Sequence, residues 1–260
     1  MSGEHEQRAL SFGQVAEDYE ATRPGWPLEP FAEAFARFGV RERPDIVDVA
    51  AGTGKLTRTL ARFAGTLVAV EPDPDLRAVI QRELPGVEVF AGTAEELPLP
   101  TASADVVCAG QAFHWFDMVR APAEIARVLR PGGILIAGWN TETDDGSWYG
   151  AVIEYLETAN PDHLPAKNRD WDAAFAMLPD YESYTTFEFR HEQPTDYATF
   201  ARMLGTQSAI ARLAPERQAA LIEEARAVAV EQGAFDSDGN AAIPWNCLLC
   251  VMRRRATPGV

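Results

Sequence analysis

The sequence predicts a doubly wound α/β fold, a mostly parallel sheet covered by helices on both faces. Three observations carry that expectation. Short apolar runs at residues 46–51, 66–71, 87–90, 104–109 and 134–139 are bounded by glycine, proline or charged residues, as strands are. Amphipathic helical patterns alternate with them across about a hundred residues, which implies crossover connections and a parallel sheet. The run at 104–109 is apolar without alternation, as expected of a strand that helices cover on both sides.

The elements follow in order. Residues 1–28 read as an N-terminal arm, with Phe12, Val15, Ala16 and Tyr19 at helical spacing and Arg23-Pro24-Gly25-Trp26-Pro27 ending the helix. Residues 29–140 read as the core. It opens with a helix that aligns Phe31, Phe35 and Phe38 and closes at Gly39. The strand at 46–51 breaks at Gly52-Thr53-Gly54 into a helix with Leu56, Leu60 and Phe63. The strand at 66–71 precedes a helix with Leu76, Val79 and Ile80, and the strand at 87–90 runs into the loop Gly92-Thr93-Ala94-Glu95. Pro122 opens a helix carrying Ile125, Val128 and Leu129, and Arg130-Pro131-Gly132-Gly133 turns into the strand at 134–139. Residues 141–260 are expected to add a helical insertion, with helices near 149–157, 171–178, 197–204 and 215–232. Strands at 184–190 and 243–252 would complete seven strands as a hairpin at the sheet edge, its C-terminal strand antiparallel.

Composition excludes several classes. At 260 residues and 47% hydrophobic content the chain can bury a sizeable core. A net charge of −16 repels polyanions, so no nucleic-acid partner is expected. Met1 to Arg8 shows no apolar secretory segment and no run is long enough to span a bilayer, so the expected compartment is the cytoplasm and no membrane partner is expected. Cys108, Cys247 and Cys250 are too few for a disulfide scaffold. Cys247 and Cys250 spell C-x-x-C, but a strand places them on opposite faces.

The chemistry centres on residues 45–57. A glycine turn between a strand and a helix lets a ligand approach backbone closely and meet free N–H groups. A P-loop would need glycine at Val49 and Ser or Thr at Leu56, and a dinucleotide fingerprint would need glycine or alanine at Thr57. Neither holds. Glu71 ends the next strand, where a carboxylate can accept two ribose hydroxyls, and Asp48 offers a second acceptor beside the glycines. Together they describe a site for a nucleoside with an amine-bearing or cationic tail. Alone, Asp48 also reads as a turn residue and Glu71 as a solvated strand end.

Five stretches in register resemble the class I S-adenosylmethionine-dependent methyltransferases. They are Val47-Asp48 through Gly52-Thr53-Gly54, Val70-Glu71-Pro72-Asp73, Gly92-Thr93-Ala94-Glu95, Asp105 through Gly110-Gln111-Ala112-Phe113-His114-Trp115, and Leu129 through Gly133. The chain is similar to the small-molecule branch that includes ubiquinone-biosynthesis and trans-aconitate methyltransferases, and its arm looks like that branch's lid. The resemblance implies a Rossmann-like fold and S-adenosylmethionine as cofactor, with S-adenosylhomocysteine as product. It places Ala50, Ala51, Gly52, Thr53 and Gly54 against the methionine part, with Asp48 near the amine. Glu71, Pro72 and Asp73 fall to the ribose, and Thr93, Ala94 and Glu95 to the adenine. Gly110, Gln111 and Ala112 line the methionine tail, and Tyr19 and Arg23 close from the arm. The loop's usual first glycine is Ala50 here, and an alanine with β-region dihedrals is the expected adjustment.

Methyl transfer by in-line displacement depends mainly on positioning in a water-poor pocket. If the nucleophile carries a proton, His114 is the best candidate to take it; equally it reads as a residue structuring its loop. Trp115 either walls the pocket or fills core. Trp26, Trp139 and Asn140 are substrate candidates at the rim, and no metal-ligand spacing is present. The expected partner is a small-molecule acceptor, and the expected state a monomer or homodimer. Three alternatives stand: a methyltransferase fold using bound S-adenosylmethionine for other chemistry, an NAD-dependent oxidoreductase, and a nucleic-acid methyltransferase. The last lacks an Asn-Pro-Pro-Tyr-like tetrapeptide where Gln111-Ala112-Phe113-His114 stands.

Overall fold

The computed structural model describes residues 20–142, 146–160, 174–175 and 178–256. The expected helix over 12–19, Tyr19 within it, and most of the helix over 171–178 lie outside the described residues. Helix α1 (Glu29–Phe38) leads into β1 (Asp45–Val49), α2 (Lys55–Leu60), β2 (Thr66–Val70), α3 (Pro74–Glu83), β3 (Glu88–Phe90) and β4 (Ala104–Gly110). A 3-10 turn (Phe113–Trp115), α4 (Arg120–Val128) and β5 (Leu129–Glu142) complete the first part. The second comprises α5 (Trp148–Ala159), β6 (Thr185–Asp196), α6 (Tyr197–Gly205), α7 (Ser208–Ala211), α8 (Pro215–Glu231) and β7 (Asn240–Arg253).

The seven strands form one sheet in the order β3-β2-β1-β4-β5-β7-β6. Strands β1 to β5 pair in parallel, and β7 runs antiparallel to both β5 and β6. The expected hairpin-like pair does close this side. Its C-terminal strand lies one place in from the border, which β6 forms, because β7 has apolar residues for both faces and β6 alternates buried with exposed. Another difference concerns Arg130-Pro131-Gly132-Gly133. Ala104 pairs with Leu129 and Val106 with Ile134, so this run bulges inside β5 instead of preceding it.

Alternation along the strands sorts side chains to two faces. Ile46, Val106, Cys108, Ile136 and Cys247 pack with Phe31, Phe35, Leu56 and Leu60 of α1 and α2. Val47, Val107, Ala109, Leu135 and Cys250 pack with Ala121, Ile125 and Val128 of α4. Cys247 and Cys250 therefore face opposite sides of the sheet, and burial pushes the Cys247 thiol up to about 12. The insertion helices bury Val152, Leu156, Phe200, Met203 and Leu221 against Ile243 and Trp245 of β7. Among the described residues, no helix is long and apolar enough to cross a membrane.

Helix ends fix the loops at the carboxyl edge of the sheet. Asp73 caps α3, its Oδ1 accepting the N–H groups of Asp75 at 2.8 Å and Leu76 at 3.2 Å. At the opposite edge, ahead of β1, Gly39 closes α1 at φ 64°, a left-handed geometry that suits glycine. The chain order reverses between β1 and β4, which leaves a crevice beyond their carboxyl ends where doubly wound sheets bind ligands.

Candidate functional site

The turn after β1 carries three left-handed residues: Ala50 at φ 55°, Gly52 at φ 60° and Gly54 at φ 86°. The expectation that Ala50 takes β-region dihedrals is therefore wrong. The turn keeps the glycine conformation, and alanine bears the steric strain of its Cβ there. Among the described residues, nothing lies within 4 Å of where a Cβ of Gly52 would project, so none of them fills the space on that face. A Cβ on Gly54 would sit 3.2 Å from Ile80, so that glycine serves helix packing. Replacing Ala50 with glycine is expected to raise stability by up to about 1 kcal/mol, the relief of strain being partly offset by added freedom in the unfolded chain. Thermal unfolding measures this, and a lower melting temperature would contradict the strain.

Two buried carboxylates flank the turn. Glu71 is 4% exposed. Its Oε2 accepts the Gly52 N–H at 2.8 Å and its Oε1 the Asp73 N–H at 2.9 Å, so it ties the first two loops together. Burial raises its pKa, opposed by these backbone N–H groups. Asp48 is 1% exposed. Its Oδ2 accepts the Thr57 hydroxyl at 2.6 Å, while its Oδ1 is buried without a hydrogen-bond partner. Burial pushes the Asp48 carboxyl up to about 7, with the Thr57 bond opposing and the charge of Glu71 adding to it. The Thr53 hydroxyl is also buried, without a hydrogen-bond partner among the described residues. Thr57 counted in the sequence only as a missing glycine; here it is Asp48's partner.

The loop after β3 buries Ala94 and leaves Thr93 exposed, and Glu95 Oε1 accepts the Asp117 N–H at 3.0 Å. Glu95 thus joins this loop to the one after β4. Pro72 is half-buried, and Asp73 is committed to capping α3. Beyond β4, Gln111 adopts φ 55°. It is held by its N–H on the Gly138 carbonyl at 2.8 Å and by its Nε2 on the Asn140 carbonyl at 2.7 Å. Ala112 is buried and Trp115 half-buried, its ring 4.6 Å from that of His114.

Trp139 Nε1 lies 3.3 Å from His114 Nδ1. An indole N–H only donates, so Nδ1 accepts and the neutral ring carries its proton on Nε2. In this tautomer His114 is a hydrogen-bond donor at Nε2. The rim positions expected for Trp139, Asn140 and Trp26 are corrected by burial, since they are 1%, 6% and 9% exposed. The Trp26 ring fills the space where a Cβ of Gly110, at 2.7 Å, or of Gly138, at 3.0 Å, would stand.

Residues 20–28 form a strap over these strand ends. Lys55 Nζ donates to the Glu20 carbonyl, Arg58 pairs with the Glu20 carboxylate at 3.0 Å, and Thr59 donates to the Trp26 carbonyl at 3.0 Å. From the insertion side, Gln193 Nε2 donates to the Thr22 carbonyl at 2.7 Å. Arg23 Nε donates to Thr206 Oγ1 at 3.0 Å, which turns this side chain toward α6. Asn140 Nδ2 donates to the Gly25 carbonyl at 3.2 Å. Lys55, Thr59, Gln193 and Thr206 carried no signal in the sequence, because each bond joins residues far apart in the chain.

Comparison with known proteins gives a consistent set of likenesses. A methyltransferase-domain family profile matches residues 47–137. An uncharacterised methyltransferase of Mycobacterium tuberculosis is 37% identical over 199 residues, 76% of either chain. The solved structure of a candidate type II methyltransferase from Anaeromyxobacter dehalogenans is 25% identical and superposes with a TM-score of 0.66, covering 91% of this chain and 99% of that one. The [4+2]-cyclase SpnF shares the fold at 18% identity and a TM-score of 0.50, over 91% of this chain and 84% of that one.

Proposed function

Because the chain belongs to the class I S-adenosylmethionine-dependent methyltransferases, we propose that it methylates a small-molecule acceptor in the crevice beyond β1 and β4. The observation that carries the cofactor assignment is Asp48 Oδ1, a buried acceptor with no donor among the described residues, near a turn whose Gly52 face none of them covers. A ligand amine supplies the missing donor, and the residues present fit it. When bound, S-adenosylmethionine supplies a methyl group made electrophilic by its sulfonium sulfur.

In this reading Asp48 and Thr53 hold the amine end, Ala51, Gly52 and Gly54 offer backbone, and Glu71 accepts ribose hydroxyls with lone pairs its two N–H donors leave over. Ala94 and Glu95 border the base, and Gly110, Gln111, Ala112 and Trp115 shape the space beside the transferred group. The strap excludes water. A net charge of −16 favours a small acceptor over a polyanion. A cytoplasmic monomer or homodimer acting without a metal completes the reading.

His114 acts here as a donor through Nε2, orienting an acceptor oxygen; removing a proton would require giving up the Trp139 bond. His114→Ala is expected to lower turnover roughly tenfold to a hundredfold with little change in cofactor affinity. His114→Gln, which keeps a donor and cannot take a proton, should retain most of the turnover. Equal losses in both variants would restore the role of general base.

A second reading keeps the cofactor and drops methyl transfer, and SpnF shows that this fold also serves a cyclase. Calorimetry with S-adenosylhomocysteine and with NAD, followed by assay of S-adenosylhomocysteine release across candidate acceptors, separates the possibilities. Micromolar S-adenosylhomocysteine binding with release on acceptor addition supports methyl transfer. NAD binding in its place would overturn it.

A further inference from the structure

We propose that His191, on the outer strand β6, is a positioning residue that holds Asn140 in the orientation needed to seat both the strap and Gln111. His191 Nε2 lies 3.0 Å from Asn140 Oδ1. On its other side the Asn140 amide donates from Nδ2 to the Gly25 carbonyl at 3.2 Å, and its backbone carbonyl accepts Gln111 Nε2 at 2.7 Å. One 6%-exposed side chain thus joins the strap to the outermost strand, and its backbone takes in the loop after β4.

The chemistry of these groups fixes every orientation. A carbonyl only accepts, so Asn140 must present Nδ2 to Gly25 and Oδ1 to His191. His191 must then carry its proton on Nε2. The other tautomer would require the amide to flip, which would set Asn140 Oδ1 against the Gly25 carbonyl and leave both without a donor. The consequence is felt beyond the amide. Gly25 precedes Trp26, whose ring rests on Gly110 and Gly138, the residues before Gln111 and Trp139. Gln111 is held in a left-handed conformation that its side chain does not favour by itself. With the β6 contact gone, the amide is free to turn, the strap loses its central anchor, and β5 at residue 140 is less well held beneath Gln111. The effect on catalysis rests on the proposed methyl transfer; the effect on the strap does not.

The test compares His191→Leu with His191→Gln, whose amide nitrogen can donate from nearly the same place. In the ligand-free full-length protein, His191→Leu is expected to speed amide hydrogen exchange across residues 20–28 about tenfold, with α1 and β1 unchanged. S-adenosylhomocysteine affinity should fall by roughly tenfold, as for one lost neutral hydrogen bond. His191→Gln should return both toward wild type. Nitrogen-proton NMR of the wild-type imidazoles, with the His191 signal identified by its loss in the Gln variant, should show the proton on Nε2. The proposal is overturned by a proton on Nδ1, by unchanged exchange at 20–28 in His191→Leu, or by a Gln variant as impaired as the Leu variant. Failure of wild-type protein to bind S-adenosylhomocysteine would instead overturn the functional reading, since the exchange and NMR results need no cofactor.

Discussion

Replacing Glu71 with alanine is expected to weaken S-adenosylhomocysteine binding by on the order of a hundredfold, the loss of charge-assisted hydrogen bonds at a buried carboxylate. Two effects add. Ribose hydroxyls lose their acceptor, and the Gly52 and Asp73 N–H groups, which Glu71 accepts at 2.8 and 2.9 Å, lose theirs. The glycine turn and the start of α3 then drift apart, so the damage reaches the methionine end as well. Glu71→Gln discriminates between charge and shape. Its carboxamide can serve only one of the two N–H groups as acceptor, while its own NH2 confronts the other donor. It should bind nearly as weakly as the alanine variant. Calorimetry decides the matter, and an affinity within about threefold of wild type in either variant would remove Glu71 from the site.

How far the chain could be read in advance depended on the range of the interactions involved. The alternation of β1 to β5 with helices is a local pattern, so the parallel half of the sheet was legible residue by residue. Glu71 was legible only as a strand-end carboxylate, which also reads as solvated; its burial depends on the Gly52 and Asp73 N–H groups that two loops bring to it. The place of β7 between β5 and β6 depends on pairing across more than a hundred residues, and nothing near Ile243 or Cys250 encodes it. Ala50 misled for a different reason. Alanine prefers negative φ, and only the rest of the turn, with Gly52 tied to Glu71 and Ala51 to the Val70 carbonyl, forces it across. Trp26 and Trp139 stand where either a rim or a core aromatic fits, and it took the bare Cα positions of Gly110 and Gly138 to show that one ring is sunk into the sheet ends. His191 looks from the sequence like any polar residue of an outer strand.

The same distinction separates what positions the site from what acts in it. The carboxyl ends of β1, β2 and β4 bring Asp48, Glu71 and Gln111 to one crevice through strand register alone. Thr59 of α2, Asn140 of β5, Gln193 of β6 and Thr206 after α6 then bond the strap to its surroundings. Residues that the family pattern marks therefore gather at the strand ends, while the bonds that hold the strap come from residues outside that pattern.

Asp48→Asn is the second substitution with a large expected effect, and its sign depends on pH. Burial holds the Asp48 carboxyl at about 7, against 3.8 for an ordinary aspartate. Between those values the folded protein keeps a proton that the unfolded chain releases, so this group makes stability fall as pH rises through that window. Above pH 7 the cost reaches on the order of 4 kcal/mol, and below pH 4 it vanishes. An asparagine carries no such cost; its buried NH2 gives back part of the gain where it lacks an acceptor. Ligand-free Asp48→Asn should therefore melt higher than wild type at pH 8, by about 1–3 kcal/mol, and nearly equal it at pH 4. Cofactor binding should move the opposite way. A ligand amine beside Asp48 Oδ1 favours the ionised carboxylate, so wild-type affinity for S-adenosylhomocysteine should strengthen from pH 5.5 to 7.5 with release of a proton. The variant should bind more weakly and show a flatter profile over that range. Calorimetry in two buffers of different ionisation enthalpy counts the proton, and a wild-type affinity independent of pH would show that Asp48 does not face the cofactor's amine. The variant's stability and its affinity thus diverge, as expected where a buried charge is retained for a ligand at the expense of the empty fold.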